Sequence, residues 1–176
     1  MNILFISSCS NVSSFDETQD SEMSVEKISF DLTYQELLQK FIDNNFQFSE
    51  TGKKSFDNNE KLITGVIYMS DNELEICRVK VRTFNDRIAQ VHLNYDISGD
   101  ETGYDKFPVI VKTVAYAIKT DLPNDYFEDL EKHSNEFYSK DYNDFRISLT
   151  YSDKYLGTGT IGTAIDCAIV HLDFVD

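Results

Sequence analysis

Proline is nearly absent from these 176 residues; only Pro108 and Pro123 occur. With no low-complexity tract either, the chain does not have the composition of a largely disordered one. Basic residues are scarce too. Sixteen Lys and Arg stand against 31 Asp and Glu, for a formal charge of −15. Nucleic-acid binding needs a cationic surface that neutralises phosphates, so it is not expected here. Adsorption to anionic lipid is disfavoured for the same reason. No apolar run approaches the roughly 18 to 20 residues that cross a bilayer. Cysteine is limited to Cys9, Cys77 and Cys167, with no C-x-x-C pair, and His92, His133 and His171 are scattered. No metal site and no cofactor are expected from that distribution.

What is present supports a folded globule. Apolar residues make up 41% of the chain, with 13 Phe and 10 Tyr among them. A chain of this size buries roughly two thirds of its unfolded surface, so a core needs neither disulfides nor metal. The excess of acid is compatible with solubility, a basic protein partner or bound Ca²⁺.

The densest β signal lies between residues 62 and 95. Three β-rich runs are separated by the polar breaks Ser70-Asp71-Asn72 and Asn85-Asp86-Arg87. They read as an antiparallel meander. In the second run Leu74, Ile76, Val79, Val81 and Thr83 alternate with Glu73, Glu75, Arg78, Lys80 and Arg82; the phase breaks near Cys77, where a bulge fits. In the third, Ala89, Val91, Leu93 and Tyr95 oppose Ile88, Gln90, His92 and Asn94. One wet and one buried face is the antiparallel pattern. Arg78, Lys80, Arg82, Arg87 and His92 form the candidate binding face. Acidic cross-strand neighbours would make them ordinary surface pairs. An open concave face would let them receive an anionic ligand or an acidic partner.

Before the meander, Thr33-Tyr34-Gln35-Glu36 is a capping box. Tyr34, Leu37, Leu38, Phe41 and Ile42 then make one apolar stripe, and Asn44-Asn45 ends the helix. Phe46 and Phe48 suggest a short strand, with a loop over 49–61. After the meander, 96–105 is an acidic loop whose order departs from a calcium loop, since Glu101 stands where glycine is required. Residues 108–120 suit a buried helix started by Pro108; their β-branched content keeps a strand over 109–114 open.

The segment 121–144 is rich in acids. Tyr126, Phe127 and Leu130 suggest a short helical face capped by Asn124. Pairs such as Glu128 with Glu131, or Asp125 with Asp129, read as a solvated face rather than an acid–base site. Two strands close the chain, at 145–151 and 164–174. Between them Gly157-Thr-Gly159-Thr-Ile-Gly162 spells G-x-G-x-x-G, but a strand-like segment follows where a dinucleotide fold needs a helix. A hairpin loop accounts for the glycines.

At the amino terminus, Ile6-Ser7-Ser8-Cys9 places an aliphatic residue and two small ones before a cysteine, and a Ser-rich acidic stretch follows. This resembles the lipobox of bacterial lipoproteins. The resemblance is confined to these first residues and implies lipid on Cys9, with an extracytoplasmic, membrane-anchored or cell-surface location. No Lys or Arg precedes Cys9, so the match implies a signal beginning upstream of Met1. With Cys9 acylated, Cys77 and Cys167 remain as a disulfide pair or as two buried thiols.

The expected organisation is a signal remnant or flexible acidic tether over 1–30 and an α+β domain over 31–176. That domain has an antiparallel sheet of about five to seven strands with two main helices on one face. The expected function is non-enzymatic: an extracytoplasmic binding or interaction domain for a protein or small ligand. It touches a membrane only through Cys9. Without the lipid the protein would be cytoplasmic. Two alternatives stand beside it. One is an acidic inhibitor or immunity-type protein that neutralises a basic enzyme or toxin through 121–144. The other is a small hydrolase with its site between sheet and helices.

Overall fold

A computed structural model describes residues 29–56, 58–71, 74–96, 105–123, 125–127, 137–155 and 161–174, with backbone alone at 153–155 and 161–163. Cys9, residues 97–104 of the calcium-like loop, Asn124, the acids from Glu128 to Glu136 and residues 156–160 lie outside them, while Asp96 ends the fourth strand.

The fold is α+β: helix α1 (Tyr34–Asp43), strands β1 (Phe46–Ser55), β2 (Glu60–Met69), β3 (Glu75–Phe84) and β4 (Arg87–Asp96), helix α2 (Phe107–Ile118), then β5 (Tyr138–Tyr142), β6 (Phe145–Tyr155) and β7 (Ile161–His171). All seven strands form one sheet in the order β1-β2-β3-β4-β7-β6-β5, and every pairing is antiparallel. Two meanders therefore meet along β4 and β7. The chain leaves β4, forms α2 and enters the second meander at its far edge.

Helix α1 begins as its capping box dictates. The Thr33 side chain accepts from the Glu36 N–H at 3.2 Å, and Glu36 Oε2 accepts from the Thr33 N–H at 2.8 Å. The Thr33 N–H and hydroxyl, both donating to this carboxylate, hold it below the usual range. Leu37 and Phe41 are fully buried, each contributing about 1.5 to 3 kcal/mol. Ile42, at the margin of the stripe, is 59% exposed instead. Asn45 turns the chain at φ 62°.

Helix α2 buries Phe107, Ile110, Val111, Val114 and Ala115, the spacing of one helical face. That burial overrides the strand preference of its β-branched residues. Both helices cover the same sheet face, where Ile63, Ile67, Val79, Val81, Val91, Leu93, Ile147 and Ile169 project. Phe30 and Leu32 join this core, and backbone bonds link Phe30 and Leu32 to Ile88.

Several expectations are corrected. Residues 49–55 and 60–61 are strand, not loop: β1 runs ten residues to Ser55 and β2 starts at Glu60. β5 lies in a stretch read only as acidic. β1 and β5 are edge strands, which need backbone pairing on one side and tolerate polar side chains, so periodicity does not reveal them. The β3–β4 register shifts between Arg82 and Thr83, leaving Ala89 in a bulge. Ile88 therefore pairs with Thr83 and joins the core rather than the polar face. The bulge near Cys77 falls at Ile76, where Ile67 pairs with Cys77 and Tyr68 with Glu75.

Gly65 marks both features open to a strand glycine. It lies beside the bulge between Glu50 and Gly52, and the Phe48 ring covers it. Around the G-x-G-x-x-G stretch, Tyr155 pairs with Ile161 across antiparallel strands, and Gly162 is part of β7. No dinucleotide-type βαβ unit is formed there.

Candidate functional site

The sheet has two unlike faces. One carries the helices. The other has no helix on it among the described residues, and it presents Leu62, Thr64 and Val66 from β2, Arg78, Lys80 and Arg82 from β3, Gln90, His92 and Asn94 from β4, and Asp166, Ala168 and Val170 from β7. The alternation that buries Val79 and Val81 puts Arg78 and Lys80 outside, because successive side chains point to opposite faces.

A hollow of about 230 Å³ opens on this face, lined by Arg78, Val79, Lys80, His92, Asn94 and Asp166. Register sets its walls. Lys80 is paired directly with His92, Arg78 with Asn94, and Asn94 in turn with Asp166. Asn94 Nδ2 donates to Asp166 Oδ1 at 2.6 Å, tying that carboxylate to the β4 side. Ala168 stands beside His92 on β7 and leaves room where a longer side chain would fill the hollow.

The cross-strand neighbours decide which cations are spoken for. None is acidic: Arg78 lies between Val66 and Asn94, Lys80 between Thr64 and His92, and Arg82 between Leu62 and Gln90. Arg82 is nonetheless engaged, 3.4 Å from Glu60 and stacked over the Phe174 ring at 5.2 Å. Arg78 meets Glu75 along its own strand at 3.9 Å, with both side chains more than half exposed, a contact worth little. Lys80 makes no ion pair among the described residues. Arg87 is elsewhere, bonded to Asp31 at 2.7 Å beside the β3–β4 turn.

The structure thus brings Arg78, Lys80 and His92 together and separates Arg82 and Arg87 from them. Asn94 and Asp166 were not singled out beforehand. Their alternation places both on polar faces, but only the β4–β7 pairing puts them in one hollow.

A second polar cluster was also missed. Asp144, in the β5–β6 turn, lies 2.5 Å from Lys119 Nζ and 3.5 Å from His171 Nε2. His171 is 4% exposed and its Nδ1 accepts from the Asp173 N–H, which places the ring proton on Nε2, toward Asp144. Burial works to raise the Asp144 carboxyl, but bonds from Lys119 and its own backbone, with the charge of Lys119, hold it below the usual range.

Cys77 and Cys167 are free, buried thiols. β4 runs between their strands and the register offsets them by two residues, since Cys167 and Val79 both pair with Leu93, so they stand more than about 9 to 10 Å apart by strand spacing. That exceeds the ~7 Å Cα limit for a disulfide. Burial pushes both thiols well above the ordinary range, with lesser contributions from Cys167 and Glu75 at Cys77 and from Asp166 at Cys167. They are inert core residues rather than nucleophiles.

Phe46 is core, and Phe48 packs edge-on to Tyr34, so neither lines the hollow. Among the described residues no group of three or more His, Cys, Asp or Glu is placed to hold a metal, and no helix is long and apolar enough to cross a membrane. Four of the eight acids over 121–144 fall outside the described residues; of the others, Asp121, Asp125 and Asp141 are exposed, Asp141 is paired with Arg146, and Asp144 belongs to the cluster with Lys119 and His171. No protein-family model, curated protein or solved structure matches the chain.

Proposed function

We propose that this protein is a binding domain and that the uncovered face of its sheet is the recognition surface. One observation carries the reading: both helices lie on one face, while the other presents a hollow with a lysine that has no acidic neighbour across either strand. Opposite charges paired across strands stabilise a solvated sheet face, and Lys80 lacks such a partner on either side. The reading is non-enzymatic, because the hollow brings together groups that hold a ligand rather than a nucleophile with its base. An extracytoplasmic setting rests on the lipobox-like Ile6–Cys9 stretch.

Photo-crosslinking tests the surface. Benzoylphenylalanine replaces Val66, opposite Arg78, or Thr150 of β6, opposite Asp166, on the open face, or Ile42 on α1, in the full chain within its own cells. Discrete adducts from Val66 and Thr150, and none from Ile42, are expected. Adducts from Ile42 alone, or none from the open face, overturn the reading. An intact mass carrying acylglyceryl on Cys9 would support the extracytoplasmic setting; an unacylated soluble product would remove it.

A further inference from the structure

We infer that the hollow between β3, β4 and β7 is a seat for a small oxyanion, a carboxylate or phosphate group, held by Arg78 and Lys80 with His92 beside them. The inference rests on the open face being the recognition surface and names its ligand chemistry.

The charge pattern is the first ground. In a chain of formal charge −15, cations on the surface normally meet acids. Here two cations two residues apart on one strand face the same hollow, and the residues opposite them are Val66, Asn94, Thr64 and His92. Side chains at i and i+2 of a strand stand roughly 7 Å apart, a span that two oxygens of a carboxylate or phosphate bridge with one hydrogen bond to each side chain. Arg78 offers a planar fork suited to two oxygens, and Lys80 a point charge.

The second ground is the treatment of the one acid in the hollow. Asp166 is on β7, two strands from Arg78 and Lys80, and its Oδ1 is occupied by Asn94. It closes the far wall without neutralising the two cations. It also limits the ligand: a second anionic group reaching toward β7 would be repelled, whereas a hydroxyl or ammonium would be accepted. The volume of about 230 Å³ admits a small molecule or one side chain of a partner.

The test is a titration of the full chain, followed by amide NMR at constant ionic strength set with chloride. Inorganic phosphate is the first probe and acetate the second. Either should give saturable shifts centred on Arg78, Lys80, His92 and Asn94, with half-saturation near about 1 mM. Lys80→Gln and Arg78→Gln, both at exposed positions, should each weaken binding about tenfold. Lys53→Gln, the same charge change on exposed edge strand β1, should leave it unchanged. Binding of phosphate but not acetate, or the reverse, assigns the oxyanion source within the inference. No saturation with either probe, or equal losses in all three variants, overturns it. If open-face crosslinks persist while both titrations fail, the ligand class is wrong and the recognition surface stands. If oxyanions bind while the open face gives no adduct, the surface reading fails and the seat remains.

Discussion

The His171 imidazole and the Asp144 carboxylate face each other across 3.5 Å, joining the end of the last strand to the β5–β6 turn. Lys119, just past α2, reaches the same carboxylate, so one turn residue links the helix layer to the sheet.

A pH dependence follows from that carboxylate. Its pKa is lowered in the folded chain, so the folded state binds fewer protons there than the unfolded state. The stability it contributes is complete above the unfolded value of about 4 and is lost as pH falls through the folded value. Asp144→Asn should cost about 1 kcal/mol at pH 7, a modest figure because the side chain is 42% exposed. Urea unfolding of both proteins from about pH 7 to about pH 2 should show the difference shrinking with acid. A difference independent of pH would mean that the carboxylate charge is not its source.

Gly65 and Phe48 make a sharper prediction. A Cβ on Gly65 would lie 2.3 Å from the Phe48 ring and 2.6 Å from the Ser49 carbonyl oxygen. The ring can rotate away; the backbone oxygen cannot without opening the β1–β2 ladder. Gly65→Ala should therefore destabilise by about 2 to 3 kcal/mol, although alanine is otherwise the better strand residue. Phe48→Ala in the same background should recover only part of the loss. Full recovery would assign the clash to the ring alone.

Thr83 should respond in the opposite direction. It is 1% exposed on the helix-covered face, and its hydroxyl has no hydrogen-bond partner among the described residues. A buried hydroxyl without a partner costs about 1 to 3 kcal/mol. Thr83→Val keeps the shape and removes the cost, so the unfolding midpoint should rise by an amount equivalent to about 1 kcal/mol. A fall would reveal a hydrogen bond made in solution.

Much of the architecture was legible because it rests on local patterns. The capping box at Thr33 and Glu36 satisfies its own helix end and needs nothing distant. The period-two runs at 75–84 and 87–96 separate Val79 and Val81 from Arg78 and Lys80 without reference to any partner. That alternation is also why the polar face of β3 could be named as a candidate surface. Ile88 was misplaced because one bulged residue, Ala89, reverses the phase, and bulges depend on what the neighbouring strand requires.

By itself, then, the sequence determined which residues of each central strand face the core, where α1 starts and stops, and that the surface is acidic, because these follow from side-chain period, capping chemistry and composition. The tertiary structure alone decided that β4 pairs with β7 and not with β5, that polar segments 49–55 and 138–142 become sheet edges, and that Arg78 and Lys80 share a hollow with Asn94 and Asp166 while Arg87 turns to Asp31. Those are choices of long-range partner. They are made by backbone hydrogen bonds and by burial of a common core, and neither leaves a mark in the spacing of residues along the chain.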